Sequence, residues 1–172
     1  MALNLKDFIR EVSDFPKPGI LFRDITPLLG DPAAFGQAID QLDILTRSLN
    51  YSRIVGIESR GFIFAAALAQ KRGCGFVPIR KPKKLPWKVL RETYALEYGE
   101  DALEVHSDAL SHGERALIVD DVLATGGTAQ AAGRLVARAR GVVAGFAFLL
   151  ELDSLQGRAR LDPTSVASVV HY

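Results

Sequence analysis

A chain of 172 residues fits one domain, because domains mostly run ~100 to 200 residues. Apolar residues make up 48% and charged residues 24%, the balance of a folded globular protein, which excludes wholesale disorder. Lys plus Arg number 21 against 20 for Asp plus Glu, so a net charge of +1 supplies no field for nucleic acid or an anionic membrane, and any anionic partner must be met by local groups.

The opening stretch MALNLKDFIREV carries charges at Lys6, Asp7, Arg10 and Glu11 in place of the apolar core of an export signal. Nowhere do about 18 apolar residues run together, so no membrane span is expected and a cytoplasmic location follows. Leu5, Phe8, Ile9 and Val12 recur at helical spacing and predict a first helix, stopped by Phe15-Pro16-Lys17-Pro18-Gly19. Asp31-Pro32 reads as a cap followed by a first-turn proline, opening a helix with Phe35, Ile39 and Leu42 on one face and an end near Asn50.

Arg53 to Ile57 reads as a buried strand, Glu58-Ser59-Arg60-Gly61 as a turn and Phe62 to Arg72 as a helix. Cys74, alone and unable to form an internal disulfide, precedes a second strand at Gly75 to Ile79. Arg80 to Lys88 is cationic and proline-broken, and predicts a mobile loop. Alternation in Tyr94 to Tyr98 and in Ala102 to His106 predicts a hairpin joined around Gly99 to Asp101. Ala116 to Val119 is a buried strand ending in Asp120-Asp121, a helix follows from about Thr128 to Arg140, and Val142 to Leu150 is the next strand. Alternating strands and helices predict an α/β fold, a mostly parallel sheet flanked by helices, with the site at the carboxyl ends of the strands.

The densest chemistry lies in Val119-Asp120-Asp121-Val122-Leu123-Ala124-Thr125-Gly126-Gly127-Thr128. Two glycines between a strand and a helix allow a tight turn, a nest of backbone N–H groups and access to the helix's positive end. Thr125 and Thr128 add hydroxyls, while the lysine of a triphosphate loop and the spacing of a dinucleotide loop are both absent, so a single phosphate monoester suits the turn. Adjacent carboxylates repel unless a cation or hydroxyl-rich group lies between them, and both reach one ligand only where the strand already turns into the loop. A sugar diol answers both demands. His106, His112 and His171 show no zinc spacing, and no metal ligand is expected among them.

This ten-residue segment closely resembles the binding motif of the type I phosphoribosyltransferases for phosphoribosyl pyrophosphate (PRPP). The flanking segments Asp14-Phe15-Pro16, Pro18 to Pro27, Glu58 to Phe62, Arg80-Lys81, Lys84-Leu85-Pro86 and Leu96-Glu97-Tyr98-Gly99 narrow the resemblance to the adenine-specific branch. The resemblance implies a single domain over residues 1–172, with 1–30 as a base-binding hood and a flexible loop with a hairpin. It implies transfer of the phosphoribosyl group from PRPP to adenine, giving AMP and pyrophosphate in purine salvage, with Mg²⁺ held mainly by substrate and water, and a homodimer. Asp120 and Asp121 would hold the ribose hydroxyls, and Ala124, Thr125, Gly126, Gly127 and Thr128 the 5-phosphate. Glu58-Ser59-Arg60 resembles the pyrophosphate loop, with a cis peptide expected at Glu58-Ser59 and Arg60 a catalytic candidate beside Glu97. Arg80, Lys81 and Lys84 would reach the pyrophosphate, Arg80 as a candidate to act across a dimer interface, and residues 81–95 would close over the site. Phe22 would stack on the base, the backbone of Leu21 and Arg23 would read its edge, Leu152 would close its other side, and Glu97 would handle its proton. Many relatives carry glycine where this chain has Lys83. Guanine or hypoxanthine specificity, and a regulatory PRPP-binding protein without turnover, remain alternatives, although neutral charge and no added nucleic-acid-binding domain weigh against a regulator.

Overall fold

The computed structural model describes residues 3–95 and 99–172, and the chain divides into two compact units, one ending at Gln41 and one spanning Leu42–Tyr172.

In the first unit a 3-10 turn, Leu5–Phe8, leads into strand β1 (Arg10–Ser13), which pairs antiparallel with β2 (Leu21–Asp24) from Arg10↔Asp24 to Ser13↔Leu21. The helix expected from Leu5, Phe8, Ile9 and Val12 does not form. One or two isolated turns of helix are weakly stable, and the hairpin offers Val12 a ladder partner in Phe22. Helix α1 (Thr26–Gly30) is a short element that the sequence did not signal, started where Asp24 Oδ1 accepts the Thr26 amide at 2.9 Å. Helix α2 (Pro32–Thr46) opens as expected, with Asp31 Oδ1 accepting the amides of Ala33 and Ala34 at 2.9 and 2.8 Å. It stops short of Asn50, and the hydroxyl of the buried Thr46 donates back to Leu42 O at 2.7 Å.

The second unit runs β3 (Arg53–Ile57), α3 (Gly61–Arg72), β4 (Gly75–Ile79), β5 (Val89–Ala95), β6 (Glu100–His106), β7 (Arg115–Leu123), α4 (Gly127–Arg138), β8 (Val142–Glu151) and β9 (Val166–His171). Five of these strands form a parallel sheet in the order β4-β3-β7-β8-β9. Side chains alternate between faces along each strand. Val55, Ile57, Ile118 and Phe146 join Ala131, Ala132, Leu135 and Val136 of α4 in one core cluster. Ile54 and Leu117 are buried on the other face, where α3 packs on β3 and β7. The α/β reading therefore holds, and β3 and β4 lie where short apolar runs placed them. Strand β9 was not signalled.

An antiparallel hairpin does form, but its first strand starts at Val89, Leu96 to Tyr98 lie outside the described residues, and Glu100 and Asp101, read as part of the join, belong to β6, which β5 meets from Val89↔His106 to Ala95↔Glu100. Glu92 accepts from Arg134 Nε at 2.6 Å and Arg138 Nη1 at 2.9 Å, tying the hairpin to α4. These bonds, Arg134 first, outweigh desolvation and hold the Glu92 carboxyl below its usual range. The closing segment read as 81–95 thus contains a strand over its last seven residues, and only residues 81–88 lack helix and strand. Among the described residues no helix is long and apolar enough to cross a membrane.

Candidate active site

Strand β7 carries the centre of the site. Val119 is buried, and the ladder with β8 continues through Asp120↔Phe148, Val122↔Leu150 and Leu123↔Glu151. The strand does not turn into a loop at Asp120-Asp121, as the two adjacent acids had suggested. Pairing to β8 keeps the backbone extended, and the two carboxylates have different surroundings.

Asp121 is buried, and its Oδ2 lies 2.7 Å from Arg60 Nε just before α3. The contact is close but poorly directed, and Asp121 Oδ2 accepts no hydrogen bond of good geometry from the described residues. Asp120 faces the concavity lined by Val122 to Ala129 and accepts the Asp121 amide at 2.9 Å. Burial first, and then the neighbouring Asp121 carboxylate, push the Asp120 carboxyl well above the usual range. Such a pair gains from a ligand that brings hydroxyl donors or positive charge.

Beyond Leu123 the chain folds into the turn Ala124 to Thr128 and enters α4. Gly126 has φ +82, open to glycine and strained for a side chain, and its carbonyl accepts the Gln130 amide at 2.9 Å. Sequence reasoning gave this glycine to close approach by a ligand. The structure adds a second reason: a Cβ there would lie 2.5 Å from Gly157 O, and one on Gly157 would run into Ala124 O. The 3-10 turn Gly157–Arg160 therefore braces the phosphate-sized turn from behind. Gln130 Nε2 adds a bond to Arg160 O at 3.2 Å. Gly157 had no signal in the sequence beyond being a glycine.

A second group of charges gathers around the turn after β3. The peptide Glu58–Ser59 is cis, as the resemblance implied, and Ser59 is exposed beside Arg60. The Glu58 carboxylate, with only 9% of its side chain exposed, receives Arg80 Nε at 3.2 Å, Arg80 Nη2 at 3.3 Å, the Lys81 amide at 3.0 Å and Lys84 Nζ at 2.6 Å. Desolvation pushes this carboxyl up, but Lys84, the Lys81 amide and Arg80 together outweigh it and hold it at about 2. Lys81 Nζ pairs with Asp101 on β6. Desolvation pulls the Lys81 ammonium down, and Asp101 with Tyr94 raises it further than that. Lys83 has φ +67, the backbone region where glycine is at home, and its amide donates to the buried Glu104 at 3.0 Å. Arg80 and Lys84 are thus brought together on Glu58, whereas Lys81 joins them through its amide and its ammonium is held by Asp101. That role for Glu58 and Asp101 could not be read from sequence, since each lies about twenty residues or more from its cations.

On β2 of the first unit, Phe22 packs edge-on against Phe15, ring centroids 5.1 Å apart at 70°, and Leu21 is 45% exposed. Arg23 pairs with Glu11 across the small sheet. Leu152 follows β8 in the second unit, its amide bonded to Leu123 O at 2.9 Å. Glu97 lies outside the described residues. His171, read as unrelated to any ligand set, has Nδ1 2.9 Å from Asp153 Oδ1 and 3.9 Å from Glu151 Oε2. Spacing hides this cluster because it joins β8, the following turn and β9. Glu151 is already held by Arg158 and Ser168.

Residues 39–170 match the family model described as the phosphoribosyl transferase domain. Adenine phosphoribosyltransferase of Solibacter usitatus is 57% identical over 169 residues, covering 98% of both chains. That of Gloeobacter violaceus is 58% identical over 169 residues, covering 97% of this chain and 99% of the relative. Among solved structures, the adenine phosphoribosyltransferase of Thermoanaerobacter pseudethanolicus superposes with a TM-score of 0.95 at 48% identity, covering 98% of both chains. The Saccharomyces cerevisiae enzyme, solved with an imino-altritol bisphosphate and adenine, gives 0.90 at 40% identity over 96% of both.

Proposed function

The chain belongs to the phosphoribosyltransferase family, and from that premise we propose that it joins adenine to the ribose of PRPP, releasing AMP and pyrophosphate as a purine salvage enzyme. One observation carries the reading: two adjacent aspartates, one with a buried oxygen that accepts no well-directed hydrogen bond among the described residues, stand beside a glycine-built turn at a helix start, at the carboxyl end of the central strand.

The turn Ala124 to Thr128 takes the 5-phosphate through backbone N–H groups and the hydroxyls of Thr125 and Thr128. Asp120 and Asp121 accept the ribose hydroxyls, which lowers their mutual repulsion. Ser59, Arg60, Arg80, Lys81 and Lys84 receive the pyrophosphate. The sequence resemblance alone assigns Leu21, Phe22 and Arg23 of the first unit, and Leu152 of the second, to the base, with Phe22 stacking on it and residues 1–30 as the hood of a single domain over residues 1–172. The bond from C1 to pyrophosphate oxygen breaks as the bond from N9 of adenine to C1 forms, with inversion through an oxocarbenium-like transition state. The N9 proton passes to Glu97, and the electron pair leaves with pyrophosphate, whose charge Arg60 helps to hold. Closure of residues 81–95 at the site, with movement concentrated in 81–88, excludes water as a rival nucleophile.

Mg²⁺ fits this donor set. Asp120 and Asp121 are hard oxygen donors and Asp121 Oδ2 lacks a well-directed partner among the described residues, so they would hold the ion through water and substrate oxygens, and its charge would offset that of the leaving pyrophosphate. A homodimer is part of the reading, supported by Phe76 on the edge strand β4 and Ile63 on α3, apolar side chains 38% and 40% exposed. So is a cytoplasmic location. Incubation with PRPP, Mg²⁺ and each purine base, scored by pyrophosphate release, tests the whole. Adenine-dependent release is the expected result. Release with guanine or hypoxanthine alone would move the base specificity, and none with any base would favour a binding protein.

A further inference from the structure

Tyr94, on β5 and 6% exposed, touches both halves of the site. Its hydroxyl accepts from Thr128 Oγ1 at 3.3 Å and from Lys81 Nζ at 3.4 Å, and donates to Asp101 Oδ2 at 3.2 Å. A phenol has one proton to give and two lone pairs to fill, so all of its capacity is in use. The ring packs near Gly127, where a Cβ would lie 3.8 Å from Cδ2, and Lys81 Nζ stands 5.9 Å from the ring centroid. Thr128 belongs to the turn assigned to the 5-phosphate and Lys81 to the cations assigned to pyrophosphate. One buried oxygen therefore joins groups meant for opposite ends of the same substrate.

We infer that Tyr94 is a positioning residue through which occupation of the 5-phosphate turn and of the pyrophosphate cations influence one another, an inference that rests on the PRPP reading of the site. When Thr128 turns its hydroxyl to a phosphate, it leaves the Tyr94 oxygen. That oxygen and Asp101 then hold Lys81 under changed terms, and the ammonium is redirected. Linkage makes the effect reciprocal: whatever the first ligand does to the affinity of the second, the second does to the first. The hydrogen bonds at stake are neutral or singly charged, so the mutual effect is ~5-fold.

Calorimetry with ribose 5-phosphate and Mg²⁺-pyrophosphate as separate probes measures this directly. In the wild-type enzyme, saturating one is expected to change the affinity of the other ~5-fold. Tyr94→Phe keeps the ring and removes the hydroxyl, and its two probes are expected to bind independently. In steady state the loss falls on KM for PRPP rather than on kcat or KM for adenine, and the melting midpoint stays close to wild type. Asp101→Asn, at the partly exposed end of the network, lowers the coupling as well and serves if Tyr94→Phe folds poorly. The same mutual effect in wild type and in both variants overturns the inference, as does no mutual effect in wild type. Binding of neither probe to the wild-type protein would instead remove the PRPP reading beneath it.

Discussion

The turn Ala124 to Thr128 and the loop Arg80 to Lys88 are both assigned to phosphate groups, yet they are built in opposite ways. The turn is a backbone device, set by a positive φ at Gly126, the start of α4 and the close pass of Gly157. The loop is a side-chain device, in which Glu58, Asp101 and Glu104 hold cations and an amide in place. Shape is hard to change one residue at a time without breaking it. Charge held by flexible side chains can be traded in small steps.

Gly126→Val attacks the turn at its centre and is expected to have the largest effect. It forces a β-branched side chain into φ +82 and into Gly157 O, so kcat/KM should fall by ~10²- to 10³-fold, with faster amide exchange in residues 157–160. Wild-type PRPP affinity would show that the turn tolerates a new shape and would dissolve the contrast. Next comes Asp120→Asn with Asp121→Asn, expected to raise KM for PRPP ~10²-fold with little change in adenine binding, since charge-assisted bonds contribute ~1.5 to 3 kcal/mol each. The single change Asp120→Asn should at the same time raise the melting midpoint. A raised folded pKa means that the ligand-free fold prefers the protonated acid, so ionised Asp120 costs stability increasingly as pH rises above 3.8, and asparagine removes that cost.

Glu58→Gln probes the loop and should act more mildly, raising KM for PRPP ~5-fold as the partly exposed Arg80 and Lys84 lose their shared anchor. Its pH signature has the opposite sign to that of Asp120. A folded pKa near 2 against 4.5 gives stability that is complete above 4.5 and lost as pH falls toward 2, so acid unfolding monitored by circular dichroism should begin at higher pH in the variant. An unchanged acid transition would mean that the cations find other partners. Lys83→Gly is the smallest. It relieves φ +67 but frees the unfolded chain, and the two effects, each ~1 kcal/mol, leave a melting midpoint at most a few degrees above wild type.

The same contrast governs what the sequence disclosed. Backbone devices leave local marks: short apolar runs located β3 and β4, and the paired glycines after Asp120-Asp121 located the turn. Local marks also misled, because four apolar residues from Leu5 to Val12 fit a helix as well as they fit a 3-10 turn and a strand. The acidic pair suggested a bend that pairing with β8 prevents. Partners brought together by folding left no mark. Tyr94 looked like one more alternating strand residue, and its meeting with Thr128 joins positions 34 apart in the chain.

The backbone contact between Gly157 and the phosphate turn has a consequence for anyone who would move this motif to another scaffold. Positions 119–128 read in the sequence as one continuous cassette, yet a wall of the mould that shapes them arrives some thirty residues later, from the turn after β8. A graft carrying only the first piece would keep every donor atom and lose the wall that sets their spacing. The unit to transplant is the two segments with β8 between them, so the smallest heritable part of this site is discontinuous in the gene.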